Sequence, residues 1–121
     1  MTAHFALVIE DDPDLSEIFS KSLTAAGYTT EIIVDGQDGL TRVMEASDVS
    51  LIALDLHLPR VSGEKILEAM KKNPNLATTR LIIVTADTVS AELLRDKADV
   101  VLVKPVSYGQ LRDISQRFLP R

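Results

Sequence analysis

Five short apolar runs alternate with five stretches of helical period along the chain. The runs cover residues 5–9, 31–34, 51–54, 81–84 and 100–103. Each has strand length, and most are apolar at consecutive positions rather than alternate ones. That pattern belongs to parallel strands buried on both faces. Between them, Leu15, Ile18, Phe19, Leu23 and Ala26 fall on one helical face. So do Leu40, Val43 and Met44; Ile66, Leu67 and Met70; Val89, Leu93 and Leu94; and Leu111, Ile114 and Phe118. Asp12 before Pro13 reads as an N-cap and first helical position, and Gly27 as a helix stop. Asp35-Gly36 is a turn signal, Gly63 opens the third helix, and Asn73-Pro74-Asn75 ends it.

Strict strand–helix alternation predicts an α/β domain with right-handed crossovers. Five strands suit the doubly wound order 2-1-3-4-5, with five flanking helices. In that order the chain reverses direction between strands 1 and 3. Ligands then bind at the carboxyl ends of the strands beside the switch point. No linker, low-complexity tract or close repeat interrupts the pattern, so residues 1–121 read as a single domain.

Composition narrows the function classes. The 121 residues are 45% hydrophobic and 26% charged, as in ordinary globular proteins. No apolar run approaches the roughly 20 residues of a membrane span. The N-terminus has no basic region or cleavage site of a secretory signal. There is no Cys, which excludes thiol chemistry and disulfides and fits a cytoplasmic location. A net charge of -5, with scattered basic residues, argues against direct nucleic-acid binding.

The candidate chemistry gathers where the strands end. Glu10, Asp11 and Asp12 follow strand 1, Asp55 ends strand 3, Thr85 ends strand 4, and Lys104-Pro105 follows strand 5. Singly, Asp55 would be a turn residue, Thr85 a strand-end residue and Lys104 a solvated charge. Together they make a problem in electrostatics. Each close pair of carboxylates costs roughly 1 to 4 kcal/mol near a surface. A divalent cation removes that cost, and hard oxygen ligands in an incomplete cage describe Mg²⁺. Protonation of one acid, or pairing with Lys104, would also compensate.

These residues resemble the receiver domain of two-component response regulators, the CheY-like family with its flavodoxin-like fold. The matching pieces are Glu10-Asp11, Asp55, Thr85-Ala86 and Lys104-Pro105, with Gly36, Pro59 and Gly63 where such domains have them. The resemblance covers essentially the whole chain. It implies that Asp55 is the phosphoacceptor for a phosphohistidine of a sensor histidine kinase or phosphotransfer protein. It implies Asp11 as a direct Mg²⁺ ligand, Glu10 as one acting directly or through water, and the backbone carbonyl of His57 as a third protein ligand. Thr85 would bond one phosphoryl oxygen and Lys104 would balance another. A cis peptide bond is expected before Pro105, aiming Lys104 inward. Asp12 and Asp14 read as helix N-terminal charges rather than ligands. The His57 imidazole lacks the companions of a zinc site, and His4 reads as surface.

The chain also departs from the family. Val101 stands where many receivers carry Tyr or Phe, and Val has one stiff χ1 and no ring to swing. The face of helix 4, strand 5 and helix 5 is therefore expected to respond less to phosphorylation, or through backbone shifts. Val106 replaces a frequent Phe, Lys97-Ala98-Asp99 a common Gly-Ala-Asp, and Tyr108 offers a surface aromatic. The sequence ends one helix after Lys104, so no output domain is expected within it, and action through an unidentified downstream protein is. The competing reading is a pseudo-receiver that binds a partner without phosphorylation. An enzyme of the haloacid-dehalogenase type is suggested only by Asp12-Pro13-Asp14. That family needs a longer chain with a cap, and it would leave Asp55 without a role. No G-x-G-x-x-G follows strand 1, so a dinucleotide or flavin site is not expected.

Overall fold

A computed structural model describes residues 4–119. Five strands form one parallel sheet: β1 His4–Ile9, β2 Tyr28–Ile33, β3 Leu51–Asp55, β4 Arg80–Thr85 and β5 Val100–Val103. Their order is β2-β1-β3-β4-β5, the order expected. Five helices connect and flank them: α1 Pro13–Ala26, α2 Gly36–Glu45, α3 Gly63–Lys72, α4 Thr88–Leu93 and α5 Tyr108–Arg117. Among the described residues no helix is long and apolar enough to cross a membrane.

Two apolar layers sandwich the sheet. On one face Leu7, Ile9, Ile52, Leu54, Leu81 and Ile83 pack under Val43 of α2 and Ile66, Leu67 and Met70 of α3. On the other, Ala6, Val8, Ala53, Ile82 and Val84 pack under Phe19 and Leu23 of α1 and Leu111 of α5. Successive residues of one strand thus enter opposite cores, which is why the strands show no polar alternation. Each fully buried Leu or Ile stabilises the fold by about 2 kcal/mol relative to exposure.

The helix signals act as read. Asp12 Oδ1 accepts from the Asp14 N–H at 2.9 Å and the Leu15 N–H at 3.0 Å, with Pro13 opening α1. Gly27 closes the helix in the left-handed conformation, φ 117°, where a side chain would be strained.

Three helical faces are turned differently from the expectation. Met44 is 64% exposed, because α2 presents Gly36, Gly39 and Val43 to the core instead. A Cβ at Gly39 would lie 3.0 Å from Ile9 Cγ2, so the absent side chain sets how close the helix lies. Val89 and Leu93 of α4 are 66% and 70% exposed, and Ala91 is the residue that α4 buries. Ile18 of α1 is also exposed. Strand β2 begins at Tyr28 rather than Glu31, so Val34 lies beyond it. Its polar Thr29 and Thr30 are tolerated because it is an edge strand covered less fully than β1 or β3. His4 is half-buried at the start of β1 rather than free on the surface.

Candidate functional site

Strand register builds the site. Ile9 of β1 lies beside Leu54 of β3, so the next residues, Glu10 and Asp55, come level. Asp55 lies beside Val84, and Thr85 beside Val103. Thr85 and Lys104 therefore complete a row across the carboxyl end of the sheet. Strand β2 contributes no side chain to this row.

Glu10, Asp55 and Thr85 are buried, with 1%, 3% and 0% exposure, while Asp11 is open to solvent. Glu10, Asp11 and Asp55 each offer a carboxylate oxygen within 4.8 Å of the others. Lys104 reaches in from β5 and places Nζ 2.9 Å from Glu10 Oε1 and 3.6 Å from Asp55 Oδ2. The Lys104 ammonium is the one partner of Glu10 Oε1 among the described residues. Glu10 Oε2 accepts from the Asp12 N–H at 3.2 Å. The Lys104–Pro105 peptide is cis, as expected.

The charges do not balance. Three carboxylates face one ammonium, and like charges at this separation repel by roughly 3 to 4 kcal/mol per pair at an effective dielectric constant of about 20. Burial pushes the Glu10 carboxyl up to about 7; Lys104 opposes the shift and the Asp55 charge adds to it. Burial pulls the Lys104 ammonium down, but Glu10, Asp55 and Asp11 outweigh it and its pKa is raised. A buried acid pushed this far up, with two more carboxylates beside it and one ammonium shared among them, fits a divalent cation. The donor set is all oxygen, with open positions on the Asp11 side, which suits Mg²⁺.

The loops fix the remaining groups. Asp55 Oδ1 accepts from the His57 N–H at 3.1 Å. That bond turns the chain after β3 back over the carboxylate and leaves the exposed imidazole outside. Gly63 admits the return of the loop: its N–H donates to Leu56 O at 3.0 Å, and a Cβ there would lie 2.5 Å from Leu56 Cα. Thr85 Oγ1 accepts from the Asp87 N–H at 3.1 Å, so its own hydroxyl proton is free for another acceptor.

Every side chain expected at the site is brought together here. Asp12 is the cap of α1, as read, and Asp14 lies in the first turn of that helix. Two helix-capping roles were missed, at Asp87 and Asp35. Asp87 N-caps α4, accepting from the Val89 N–H at 2.9 Å and from Ser90 Oγ at 2.8 Å. The Ser90 hydroxyl, followed by the backbone N–H groups, holds its carboxyl below the usual range. The spacing Asp87-Thr88-Val89-Ser90 before a helix carried that signal. Asp35 caps α2 through the Asp38 N–H at 3.0 Å and also pairs with Arg60; nothing periodic announces Arg60.

Comparison with known proteins follows the same line. The family model of the response regulator receiver domain matches residues 6–116. Over 108 residues the chain is 35% identical to the transcriptional regulatory protein HprR of Escherichia coli, covering 87% of this chain and 47% of that protein. It is 35% identical over 106 residues to the DNA-binding response regulator MtrA of Mycolicibacterium smegmatis, covering 87% and 46%. The chain thus spans about half the length of these relatives. The chemotaxis response regulator CheY4 of Vibrio cholerae superposes with a TM-score of 0.84 at 25% identity, over 98% of this chain and all of that one. Acids at the ends of β1 and β3, a hydroxyl at β4 and an ammonium at β5 thus stand in a fold and a sequence that agree. The chain belongs to the response regulator receiver domain family.

Proposed function

We propose that Asp55 accepts a phosphoryl group from the phosphohistidine of a sensor histidine kinase or phosphotransfer protein. The observation that carries this is the position of Asp55. Its carboxylate is buried at the end of β3, with Glu10 and Asp11 beside it and Lys104 Nζ 3.6 Å from Oδ2. A carboxylate oxygen attacks phosphorus, the phosphorus–nitrogen bond breaks, and imidazole leaves. Such a transfer needs alignment and charge neutralisation more than covalent chemistry from the protein. Mg²⁺, held by Glu10, Asp11, Asp55 and the His57 carbonyl, would supply charge neutralisation at the phosphoryl oxygens. The His57 N–H holds Oδ1 and so orients the acceptor. Thr85 donates its free hydroxyl proton to one phosphoryl oxygen, and Lys104 balances another.

The product is an acyl phosphate, labile by nature, so the domain is a signalling switch rather than an enzyme in the usual sense. Phosphorylation shifts a population of two conformations and with it the binding of a downstream protein. The net charge of -5 disfavours direct contact between this domain and nucleic acid. A cytoplasmic location belongs to the same reading.

The test is incubation with acetyl phosphate and Mg²⁺, read by intact mass. One added phosphoryl group is expected, absent in Asp55→Asn and with a chelator. If the protein gains nothing there or from a phosphohistidine donor, it is a pseudo-receiver binding partners without phosphorylation.

A further inference from the structure

The loop after Asp55 is fastened at its far tip as well as at its root. At the root, His57 N–H bonds Asp55 Oδ1 and Gly63 N–H bonds Leu56 O. At the tip, Gly36 N–H of α2 donates to Pro59 O at 3.2 Å, and Arg60 pairs with the Asp35 carboxylate. The two backbones touch: a Cβ on Gly36 would collide with Val61 O and lie 2.9 Å from Pro59 O. Arg60 has φ 69°, a left-handed conformation that disfavours an arginine and suits glycine. An arginine held there has its side chain directed across the seam to Asp35. Asp35 serves both sides, since Oδ1 caps α2 and Oδ2 takes Arg60.

We infer that the Arg60–Asp35 pair is a positioning clasp for the acceptor site, deepening the proposed function on which it rests. Its path is short. Arg60 pins the loop tip to the start of α2; the pinned loop sets the His57 peptide; and the His57 N–H fixes Asp55 Oδ1, while its carbonyl faces the task of a metal ligand. Arg60 and Asp35 touch no reacting atom. The clasp is open to solvent on the arginine side, so salt weakens it.

The experiment compares wild type with Arg60→Gly, which fits the backbone and loses the pair, and with Asp35→Asn, which keeps a capping oxygen and loses the charge. Arg60→Lys restores a cation. Three readouts are taken: hydrogen-exchange protection of the His57 amide without metal, Mg²⁺ dissociation constant by calorimetry, and initial phosphorylation rate with acetyl phosphate. Arg60→Gly and Asp35→Asn are expected to lower His57 protection and weaken Mg²⁺ binding by roughly threefold to tenfold. This is at or below the roughly ten- to hundredfold that outer-sphere partners of metal ligands command. Arg60→Lys should recover part of both, and the double variant should be no worse than either single one. Unchanged protection and Mg²⁺ binding in both variants, whatever happens to melting temperature, would overturn the clasp. If wild type takes no phosphoryl group the proposed function fails instead, and His57 protection still decides the clasp.

Discussion

Lys104 is paired first with Glu10. The Nζ–Oε1 distance is 2.9 Å, against 3.6 Å to Asp55 Oδ2. Asp55 is thus a buried carboxylate whose compensation is shared and incomplete. Asp55→Asn keeps the Lys104–Glu10 pair, keeps an oxygen for the His57 N–H, and deletes one like charge. The variant is expected to be more stable than wild type by about 1 kcal/mol without metal. That corresponds to a rise of about 3 to 6 °C in melting temperature for a chain of this size. Added Mg²⁺ should narrow the gap, since the cation relieves the same repulsion in wild type. Thermal unfolding with chelator and with Mg²⁺ checks both halves.

Mg²⁺ should raise the melting temperature of wild type with concentration, because a ligand that binds only the folded state stabilises it by mass action. Asp11→Asn removes a carboxylate of the acidic cluster that is open to solvent and that no lysine holds in a salt bridge among the described residues. Its melting temperature should be nearly insensitive to Mg²⁺ at millimolar concentration. An equal response in the variant would remove Asp11 from the ligand set.

Tyr28 ties the sheet edge to the last helix. Its buried hydroxyl donates to Ser115 O at 2.8 Å, joining β2 to α5. Tyr28→Phe should cost about 1 kcal/mol by urea unfolding, the net worth of one hydrogen bond, since Ser115 O keeps the Phe118 N–H at 3.1 Å. Burial pushes the Tyr28 phenol up to about 12, with Arg80 opposing. An acid whose pKa is raised in the folded state holds its proton there longer than in the unfolded chain. The Tyr28 share of stability is therefore intact below pH 10 and falls as pH rises from 10 to 12. Tyr28→Phe should lack that component of alkaline destabilisation.

Val101 packs half-buried against the core layer that holds α2 and α3, as do Leu94 and Ala98. It offers no ring to reorient. In Val101→Tyr, the difference in amide chemical shifts between phosphorylated and free protein should grow across α4, β5 and α5. An unchanged difference would mean that this position does not limit the response.

Much of this molecule is legible in its sequence because burial on two sides forces whole strands to be apolar. Leu51 to Leu54 and Leu81 to Val84 announce themselves that way, and the polar residue that ends each run marks the rim. Asp55, Thr85 and Lys104 follow from that rule. The facing of single helix residues does not. Met44 and Val89 lie outside because Gly39 and Ala91 let their helices approach closely along another line, and closeness depends on the partner surface. The strand start at Tyr28 was hidden by Thr29 and Thr30, which an edge strand tolerates. The Arg60–Asp35 contact was hidden for a different reason: a loop has no period, and a left-handed arginine leaves no mark on composition.

The row of strand ends carries a consequence for how the protein comes into being. A chain growing from its N-terminus completes Glu10, Asp11, Asp55 and Thr85 well before Lys104. Until β5 docks against β4, the acids have no ammonium among them. A chain cut before β5 would hold every carboxylate of the site and no cation of its own to oppose them. Under the proposed function, phosphorylation therefore depends on the finished sheet, and a truncated or half-folded copy lacks the ammonium that faces Glu10 and Asp55.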